Sequence, residues 1–305
     1  MKVSVIMNCY NSDTYLREAI DSVYAQTYTN WEIIFWDNQS SDKSAEIARS
    51  YDGKLKYFCS ENYLKLGEGR NRAMEKATGD LIAFLDCDDQ WLPKKLEKQV
   101  SIFEKSDDVK LVYSNYIKHI QETGYEFEAI TKPQPSGHVF KDSLIFYPVG
   151  ILTAIIRQDV LNALDHWFDP TLNLVEDYDF FMRIILTGQL EYIHETLAIY
   201  REHQQNHTSK FRADFPDEMI ISLNKLKQKN TDSKYHKLIE LNIKQQKVKR
   251  ASYYFLFKHQ HMNFLRNLYE NDLLSLGVLL TVYFNYKKSI LKKILLRLKL
   301  IKKKY

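Results

Sequence analysis

The sequence predicts an α/β protein with a mostly parallel central sheet, helices on both faces of that sheet, and a helical appendage at the C-terminal end. Two observations carry this prediction. Short apolar runs alternate with helical patterns over the first two thirds of the chain, whereas strand patterns become rare after residue 206. Near-continuous apolar strands that alternate with helices are typical of parallel sheets buried on both faces.

The apolar runs give the order of the predicted elements. Strands are expected at residues 3–7, 31–36, 55–58, 81–85, 111–113, 153–157 and 192–200. Helical patterns separate most of these strands, and Pro93 opens one of the helices, as proline does at a first helical turn. Residues 121–147 lose the alternation and contain two prolines, so we expect a hairpin or an irregular excursion there.

Length, composition and charge limit the class of protein. The chain has 305 residues, of which 45% are hydrophobic and 27% charged, as in an ordinary folded protein. We predict a ligand-binding and catalytic domain over residues 1–205 and a helical region over residues 206–305. The net charge is +4, but residues 287–305 contain eight Lys, one Arg and no acid, so the preceding chain is net acidic. We therefore expect no nucleic-acid partner.

The basic tail, residues 287–305, also has an amphipathic pattern. Its apolar positions on one side of a helical wheel are Ile290, Leu291, Ile294, Leu295, Leu298 and Ile301. A basic amphipathic helix is typical of peripheral contact with an anionic membrane, although packing on the catalytic domain or on a second subunit explains the same pattern. The apolar stretch 273–284 is shorter than the roughly 20 residues that span a bilayer.

The cysteines and the N-terminal residues predict the compartment. The chain has three cysteines, Cys9, Cys59 and Cys87, which lie far apart in the sequence. An odd number of widely separated cysteines favours a reducing environment without disulfides or zinc. Residues 1–10 do not show the pattern of a signal peptide. We therefore expect a cytoplasmic protein at the inner face of the membrane. The sequence leaves open whether it forms a homo-oligomer.

Polar clusters follow three predicted strands, at residues 8–11, 37–42 and 86–89. Ligands of parallel α/β sheets bind at the carboxyl ends of the strands, so we expect the clusters to converge on one rim. In the last cluster, Asp86, Asp88 and Asp89 offer carboxylate oxygens, which suit Mg²⁺ or Mn²⁺. The alternative is an acidic turn that caps the next helix. A calcium loop of the EF-hand type is excluded because Trp91 stands where that loop requires Gly.

A basic segment lies at residues 67–72. It partly matches a dinucleotide-binding fingerprint, but Arg72 replaces the last Gly and the segment does not follow the first strand. We interpret Arg70 as a cation close to a nucleotide, with a solvated helix start as the alternative.

Together these motifs resemble glycosyltransferase family 2. The resemblance rests on the first strand with Tyr10 and Asn11, the acidic segment 37–42, Arg70 with Asn71, and the run from Phe84 to Asp89 with Pro93, and it resumes at Glu176 and Asp177. It implies a Rossmann-like GT-A fold and a nucleoside-diphosphate-sugar donor. It also implies inverting transfer to a hydroxyl of a glycan or lipid-linked glycan, as in cell-surface polysaccharide biosynthesis.

The resemblance further implies roles for individual residues. Asp88 of the DXD motif would bind a divalent cation, Mn²⁺ or Mg²⁺, with His203 as a candidate second ligand. Asp177 would be the general base and Glu176 would face the acceptor, although carboxylates at this position also stabilise a helix N-terminus. The residues expected on the nucleotide-sugar side are Tyr10, Asn11, Asp37, Asn38, Arg70, Asp86, Cys87 and Arg201.

One departure from the family pattern affects the nucleobase. The family usually has two adjacent acids where this chain has Asp37 and Asn38. An amide both donates and accepts hydrogen bonds, so the choice among uracil, thymine and guanine stays open.

Two other functions remain as alternatives. A sugar-nucleotide-forming nucleotidyltransferase requires a Gly-rich, basic loop after the first strand, but residues 8–12 contain neither Gly nor Lys. A non-catalytic scaffold or glycan-binding subunit would not need Asp86, Asp88 and Asp177 together.

Overall fold

The computed structural model describes residues 1–257 except 207, 209, 210, 212 and 231, and for residues 251–257 it describes the backbone alone. The predictions for the basic tail, residues 287–305, and for the apolar stretch 273–284 lie outside the described residues. The chain divides into two compact units, Met1–Lys210 and Phe211–Tyr305. No helix within the described ranges is long and apolar enough to cross a membrane.

The first unit is an α/β domain. Its strands are β1 Val3–Cys9, β2 Trp31–Asp37, β3 Leu55–Cys59, β4 Leu81–Phe84, β5 Gln90–Trp91, β6 Val109–Ile120, β7 Tyr125–Glu128, β8 Ile155–Arg157 and β9 Gln189–Glu202. Its helices are α1 Asp13–Tyr24, α2 Ser44–Arg49, α3 Leu66–Met74, α4 Lys95–Phe103, α5 Phe140–Ile145 and α6 Glu176–Thr187. Short 3₁₀ helices flank β8 at Ile151–Thr153 and Gln158–Ala163.

The nine strands form one sheet in the order β3-β2-β1-β4-β8-β6-β9-β5, with β7 paired to β6. The pairs β3-β2, β2-β1, β1-β4 and β6-β9 are parallel. Strand β8 runs antiparallel to both β4 and β6, so it joins the two parallel parts. The predicted α/β class is confirmed, with more antiparallel pairing than the apolar runs alone indicated.

The core explains why the first elements form. All residues of β2 are buried, as expected for a strand covered on both faces. Helix α1 buries Leu16, Ala19, Ile20 and Val23, which recur at the spacing of one helical face. That face and the first strands share one hydrophobic core.

Strand register confirms that the polar clusters converge on one rim. Cys9 at the end of β1 pairs with Asp37 at the end of β2. Ile6 pairs with Phe84, the last residue of β4, so the acidic turn begins beside the end of β1. Parallel strands with aligned carboxyl ends therefore bring the three polar segments to the same edge of the sheet.

The region 121–147 forms a hairpin and a short helix. Strand β6 continues to Ile120 and pairs antiparallel with β7, and α5 follows. The second half of β6 is only half-buried, so it lacked the apolar run that reveals a strand. Strand β5 was missed because it is two residues long and is held by pairing with β9.

The second unit is helical over the described residues. It contains α7 Phe215–Lys229 and α8 His236–Phe257. Lys227 contacts Glu240 and Arg250 contacts Asp217, in both cases with a nitrogen-to-oxygen distance of 2.6 Å. The predicted helical appendage is therefore confirmed in its described part.

Candidate active site

The acidic turn follows β4 directly. A backbone hydrogen bond closes the turn, because the N–H of Asp89 donates to the carbonyl of Asp86 at 3.2 Å. The Cys87 thiol donates to the carbonyl of Asn8 at 3.5 Å, which fixes the turn against the end of β1. Asp86, Cys87 and Asp88 line a cavity of about 390 Å³, whereas Asp89 is buried away from it.

The wall of this cavity comes from distant parts of the first unit. The lining includes Asn8, Tyr10, Asn38, Tyr63, Arg70, Asp86, Cys87, Asp88, Tyr116, Glu176, Asp177 and Asn206. Most of the residues predicted for the site are in this set. The exceptions are Asn11, Asp37, Arg201 and His203.

Arg201 fastens the acidic turn to β9. Its backbone N–H donates to Asp89 Oδ1 at 2.9 Å, and its Nε donates to the carbonyl of Asp88 at 3.1 Å. Its other two guanidinium nitrogens bind Gln121 and Glu18. Every guanidinium nitrogen of Arg201 thus has a protein partner, and its contact with the nucleotide-sugar donor stays a prediction. Burial and the charges of Asp88 and Asp86 raise the pKa of Asp89 well above its usual range.

A candidate cation site lies at Asp88. Its Oδ2 atom is 3.0 Å from His203 Nε2 and 3.0 Å from Asn206 Nδ2. Neighbouring ligand atoms of an octahedral cation, each about 2.1 Å from the metal, also lie about 3 Å apart. A carboxylate and an imidazole with this spacing fit Mn²⁺ or Mg²⁺, so the structure brings together the two residues predicted as metal ligands.

A second acidic group is structural. His166, Asp169 and Asp179 present ligand-type atoms within 4.8 Å of one another. Arg183 donates to Asp179 Oδ2 at 2.9 Å and to the carbonyl of His166 at 2.6 Å. A guanidinium at this position supplies the positive charge that a cation would otherwise supply.

Arg70 joins the acidic turn to α6. The buried guanidinium donates to Asp86 Oδ1 at 2.8 Å and to Glu176 Oε1 at 2.7 Å. Both carboxylates raise the pKa of Arg70 above its usual value, despite burial. We predicted Arg70 as a cation for the nucleotide, and it does line the cavity, but two protein carboxylates already balance its charge.

Glu176 and Asp177 are the first two residues of α6. Glu176 is 3% exposed, and its Oε2 has no hydrogen-bond partner among the described residues. Asp177 lines the cavity and accepts a hydrogen bond from the backbone N–H of Tyr178 at 2.7 Å. Burial and the charge of Glu176 raise the pKa of Asp177 to about 7, although Arg70 acts in the opposite direction. A carboxylate with this pKa is suited to general-base catalysis near neutral pH.

Asp37 and Asn11 fix the loops at the rim. Asp37 is 1% exposed, and its two oxygens accept hydrogen bonds from the Ser40 N–H at 2.8 Å and the Tyr57 hydroxyl at 2.5 Å. Asn11 has a φ of 50° and accepts from the Ser41 N–H at 2.8 Å. It lines a second cavity, of about 470 Å³, which also includes His203. Their contacts with the nucleotide stay predictions.

Asn38 is used inside the protein. Its Nδ2 donates to the carbonyl of Leu64 at 2.7 Å, and its Oδ1 accepts from the N–H of the same residue at 2.9 Å. The Asn38 amide therefore both donates and accepts a hydrogen bond, in each case with the backbone of Leu64.

Sequence reasoning missed several cavity residues, among them Tyr63, Tyr116 and Asn206. Tyr63 contacts Tyr10 edge-to-face, with ring centroids 4.9 Å apart, and Tyr116 lines the wall from β6. Asn206 reaches Asp88 from beyond β9. Tyr63 and Asn206 lie in segments without apolar periodicity, and the alternation within β6 does not distinguish a cavity tyrosine from a core tyrosine.

The nine-stranded sheet with an acidic turn on its rim defines a GT-A type glycosyltransferase fold. The chain belongs to the family described as Glycosyl transferase family 2, whose sequence profile matches residues 4–162.

Two relatives are similar to this chain over about two thirds of its length. The chain is 33% identical to an uncharacterized glycosyltransferase of Methanocaldococcus jannaschii, over 69% of this chain and 74% of that protein. It is 31% identical to the Escherichia coli UDP-Glc:alpha-D-GlcNAc-diphosphoundecaprenol beta-1,3-glucosyltransferase WfgD, over 63% of this chain and 72% of that protein.

Solved structures show the same fold. S. aureus TarS in complex with UDP-GlcNAc matches with a TM-score of 0.67 and 20% identity, over 91% of this chain and 83% of that chain. The mannosyltransferase PcManGT from Pyrobaculum calidifontis, in complex with GDP-Man and Mn²⁺, matches with a TM-score of 0.64 and 14% identity, over 98% and 85%.

Proposed function

We propose that this protein is an inverting, cation-dependent glycosyltransferase. It moves a sugar from a nucleoside-diphosphate-sugar donor to a hydroxyl of a glycan or lipid-linked glycan. The observation that carries the proposal is one cavity lined both by Asp88, which lies 3.0 Å from the imidazole of His203, and by Asp177, whose pKa is about 7.

Asp177 acts on the acceptor. Its ionised carboxylate takes the proton of the acceptor hydroxyl while that oxygen forms a bond to the anomeric carbon. The bond between the sugar and the diphosphate breaks on the opposite face, and the nucleoside diphosphate leaves with the electron pair. This single displacement inverts the configuration at the anomeric carbon.

Other residues hold the leaving group and the base. A divalent cation bound at Asp88 and His203 would stabilise the charge of the departing diphosphate. Arg70 holds Asp86 and Glu176 together at the cavity wall through one ion pair with each carboxylate. Burial and the neighbouring charge of Glu176 raise the pKa of Asp177, so the base is matched to neutral pH.

The comparisons support the substrate class. WfgD is by name a glucosyltransferase that uses UDP-Glc and a diphosphoundecaprenol-linked acceptor. TarS was solved with UDP-GlcNAc, and PcManGT with GDP-Man and Mn²⁺. We therefore propose a lipid-linked or polymeric glycan acceptor, and action at the inner face of the membrane in polysaccharide biosynthesis.

The test is donor turnover with purified protein. UDP-Glc, UDP-GlcNAc and GDP-Man are incubated with Mn²⁺ or with a chelator, and release of the nucleoside diphosphate is measured. We expect release from at least one donor with Mn²⁺ and its loss on chelation. Asp88→Asn and Asp177→Asn should remove it, whereas Asp159→Asn, at an exposed carboxylate on the domain surface, should not.

The outcome also separates the alternatives. Full turnover in Asp177→Asn would overturn the assignment of the base. Nucleotide binding without turnover of any donor or acceptor would indicate a scaffold. Release of pyrophosphate from a nucleoside triphosphate and a sugar phosphate would indicate a nucleotidyltransferase.

A further inference from the structure

The segment 60–65, between β3 and α3, is fastened to the end of β2. The Ser60 N–H donates to the carbonyl of Asp37 at 2.9 Å, and Gln39 Nε2 donates to the carbonyl of Glu61 at 2.5 Å. The two hydrogen bonds between Asn38 and Leu64 complete the attachment. The position of this segment therefore depends on the residues that follow β2.

The Asn38 contact requires an amide. An aspartate at this position would still accept from the Leu64 N–H, but it has no hydrogen to donate to the Leu64 carbonyl. Its charge would also lie 2.7 Å from a carbonyl oxygen, which is repulsive. Asn38 is 2% exposed, and each polar atom of its side chain already has a backbone partner, so little of the amide is left to face the cavity.

The attached segment presents Tyr63 to the cavity. Tyr63 is 60% exposed and Tyr10 is 49% exposed, and both line the cavity beside Asn38. Their rings meet edge-to-face with centroids 4.9 Å apart. Half-exposed aromatic rings in a polar cavity offer a flat apolar surface, and every nucleobase has a face that stacks on such a surface.

We propose that Tyr63, together with Tyr10, forms an aromatic wall that holds the nucleobase of the donor, and that Asn38 is a positioning residue for Tyr63 rather than a reader of the base. This inference rests on the proposed function. It deepens that function by assigning base binding to a residue outside the family motifs of this sequence.

The experiment measures nucleotide affinity by calorimetry. Wild-type protein is titrated with UDP, dTDP, GDP and inorganic pyrophosphate in the presence of Mn²⁺. Tyr63→Ala should weaken binding of the preferred nucleoside diphosphate by about 5- to 100-fold, the range for loss of one aromatic–base stack. Pyrophosphate has no base, so its affinity should not change. Tyr63→Phe should restore nucleotide binding, because stacking needs the ring and not the hydroxyl.

Asn38→Asp tests the positioning role. It should weaken nucleotide binding in the wild-type background but cause little further loss when combined with Tyr63→Ala, because the two changes act through the same ring. Tyr125→Ala is the matched control, since Tyr125 is 63% exposed and lines neither cavity.

The outcomes that overturn the inference are distinct. Unchanged nucleotide affinity in Tyr63→Ala would refute the aromatic wall. Tighter UDP binding in Asn38→Asp, or additive losses in the double variant, would show that residue 38 reads the base directly. Failure of the wild-type protein to bind any of the three nucleotides would refute the proposed function itself, and the inference with it.

Discussion

Replacing Asp177 by Asn removes the carboxylate that would accept the acceptor's proton but keeps the size of the side chain. The amide oxygen can still accept the hydrogen bond from the Tyr178 N–H, so the start of α6 should be preserved. Loss of a general base typically lowers kcat by about 10²- to 10⁴-fold. In the wild-type protein, activity should rise with pH through about 7, because only the ionised carboxylate accepts a proton.

The same substitution should change stability in a pH-dependent way. The pKa of Asp177 is raised from 3.8 to about 7, so the folded state favours the protonated form. The contribution of this carboxyl group to the free energy of unfolding is therefore largest below pH 4, and it is lost as pH rises toward 7 and above. At about 1.4 kcal/mol per pKa unit the upper limit is about 4 kcal/mol. Because the side chain is partly exposed to the cavity, we expect about 1–2 kcal/mol.

Several charged and titratable groups contribute to this pKa. Burial and Glu176 raise it, Asp86 raises it further, and Arg70 lowers it. Burial raises the pKa of both Tyr116 and Tyr147, and the charge of this carboxylate raises it further. The uncharged Asn avoids the cost of ionisation in this environment, so Asp177→Asn should be less active and, above neutral pH, more stable.

Urea unfolding from pH 4.5 to 8.5 measures the effect of Asp177→Asn on stability. Initial rates of donor turnover, taken over the part of this range where the protein stays folded, measure its effect on activity. Asp159→Asn serves as the control because its carboxylate is 63% exposed and forms an ion pair with Lys110, with a nitrogen-to-oxygen distance of 3.4 Å. The stability difference between Asp177→Asn and the wild type should be smallest at pH 4.5 and grow as pH rises to about 7. A constant difference, or wild-type turnover in the variant, would refute the reasoning.

Three further predictions follow from other contacts. Arg70→Met leaves Asp86 and Glu176 without their shared cation. The free energy of unfolding, measured with urea, should fall by about 3–5 kcal/mol, and adding Glu176→Gln should recover part of this loss. An unchanged free energy of unfolding in Arg70→Met would contradict the proposed bridge. Asp88→Asn should raise the Mn²⁺ concentration needed for half-maximal nucleotide binding by at least about tenfold with little change in Tm, since cation ligands are carboxylate oxygens. Gly69→Ala should weaken nucleotide binding, because the added Cβ would lie 2.8 Å from Asn8 Oδ1 at the cavity wall. Gly53→Ala is the control, since a Cβ added there has no atom within 4 Å.

Local patterns were enough to predict the framework. The apolar strands, the amphipathic face of α1 and the polar strand ends depend on residues that are near one another in sequence, and a parallel sheet necessarily aligns its carboxyl ends. The rim position of the acidic turn therefore follows from the sequence alone. The antiparallel insertion of β8 could not, because three buried residues carry no information about strand direction.

The sequence by itself determined the α/β class, the family motifs and the acidic turn, since periodicity and motif spacing are short-range properties of the chain. The tertiary structure decided which side chains remain free for ligands. Arg70 meets Glu176 across 106 residues, Asn206 meets Asp88 across 118, and Asn38 meets Leu64 across 26. Hydrogen-bond partners of buried polar groups are chosen by packing across the whole domain, because a buried donor or acceptor must be satisfied by whatever the fold places beside it.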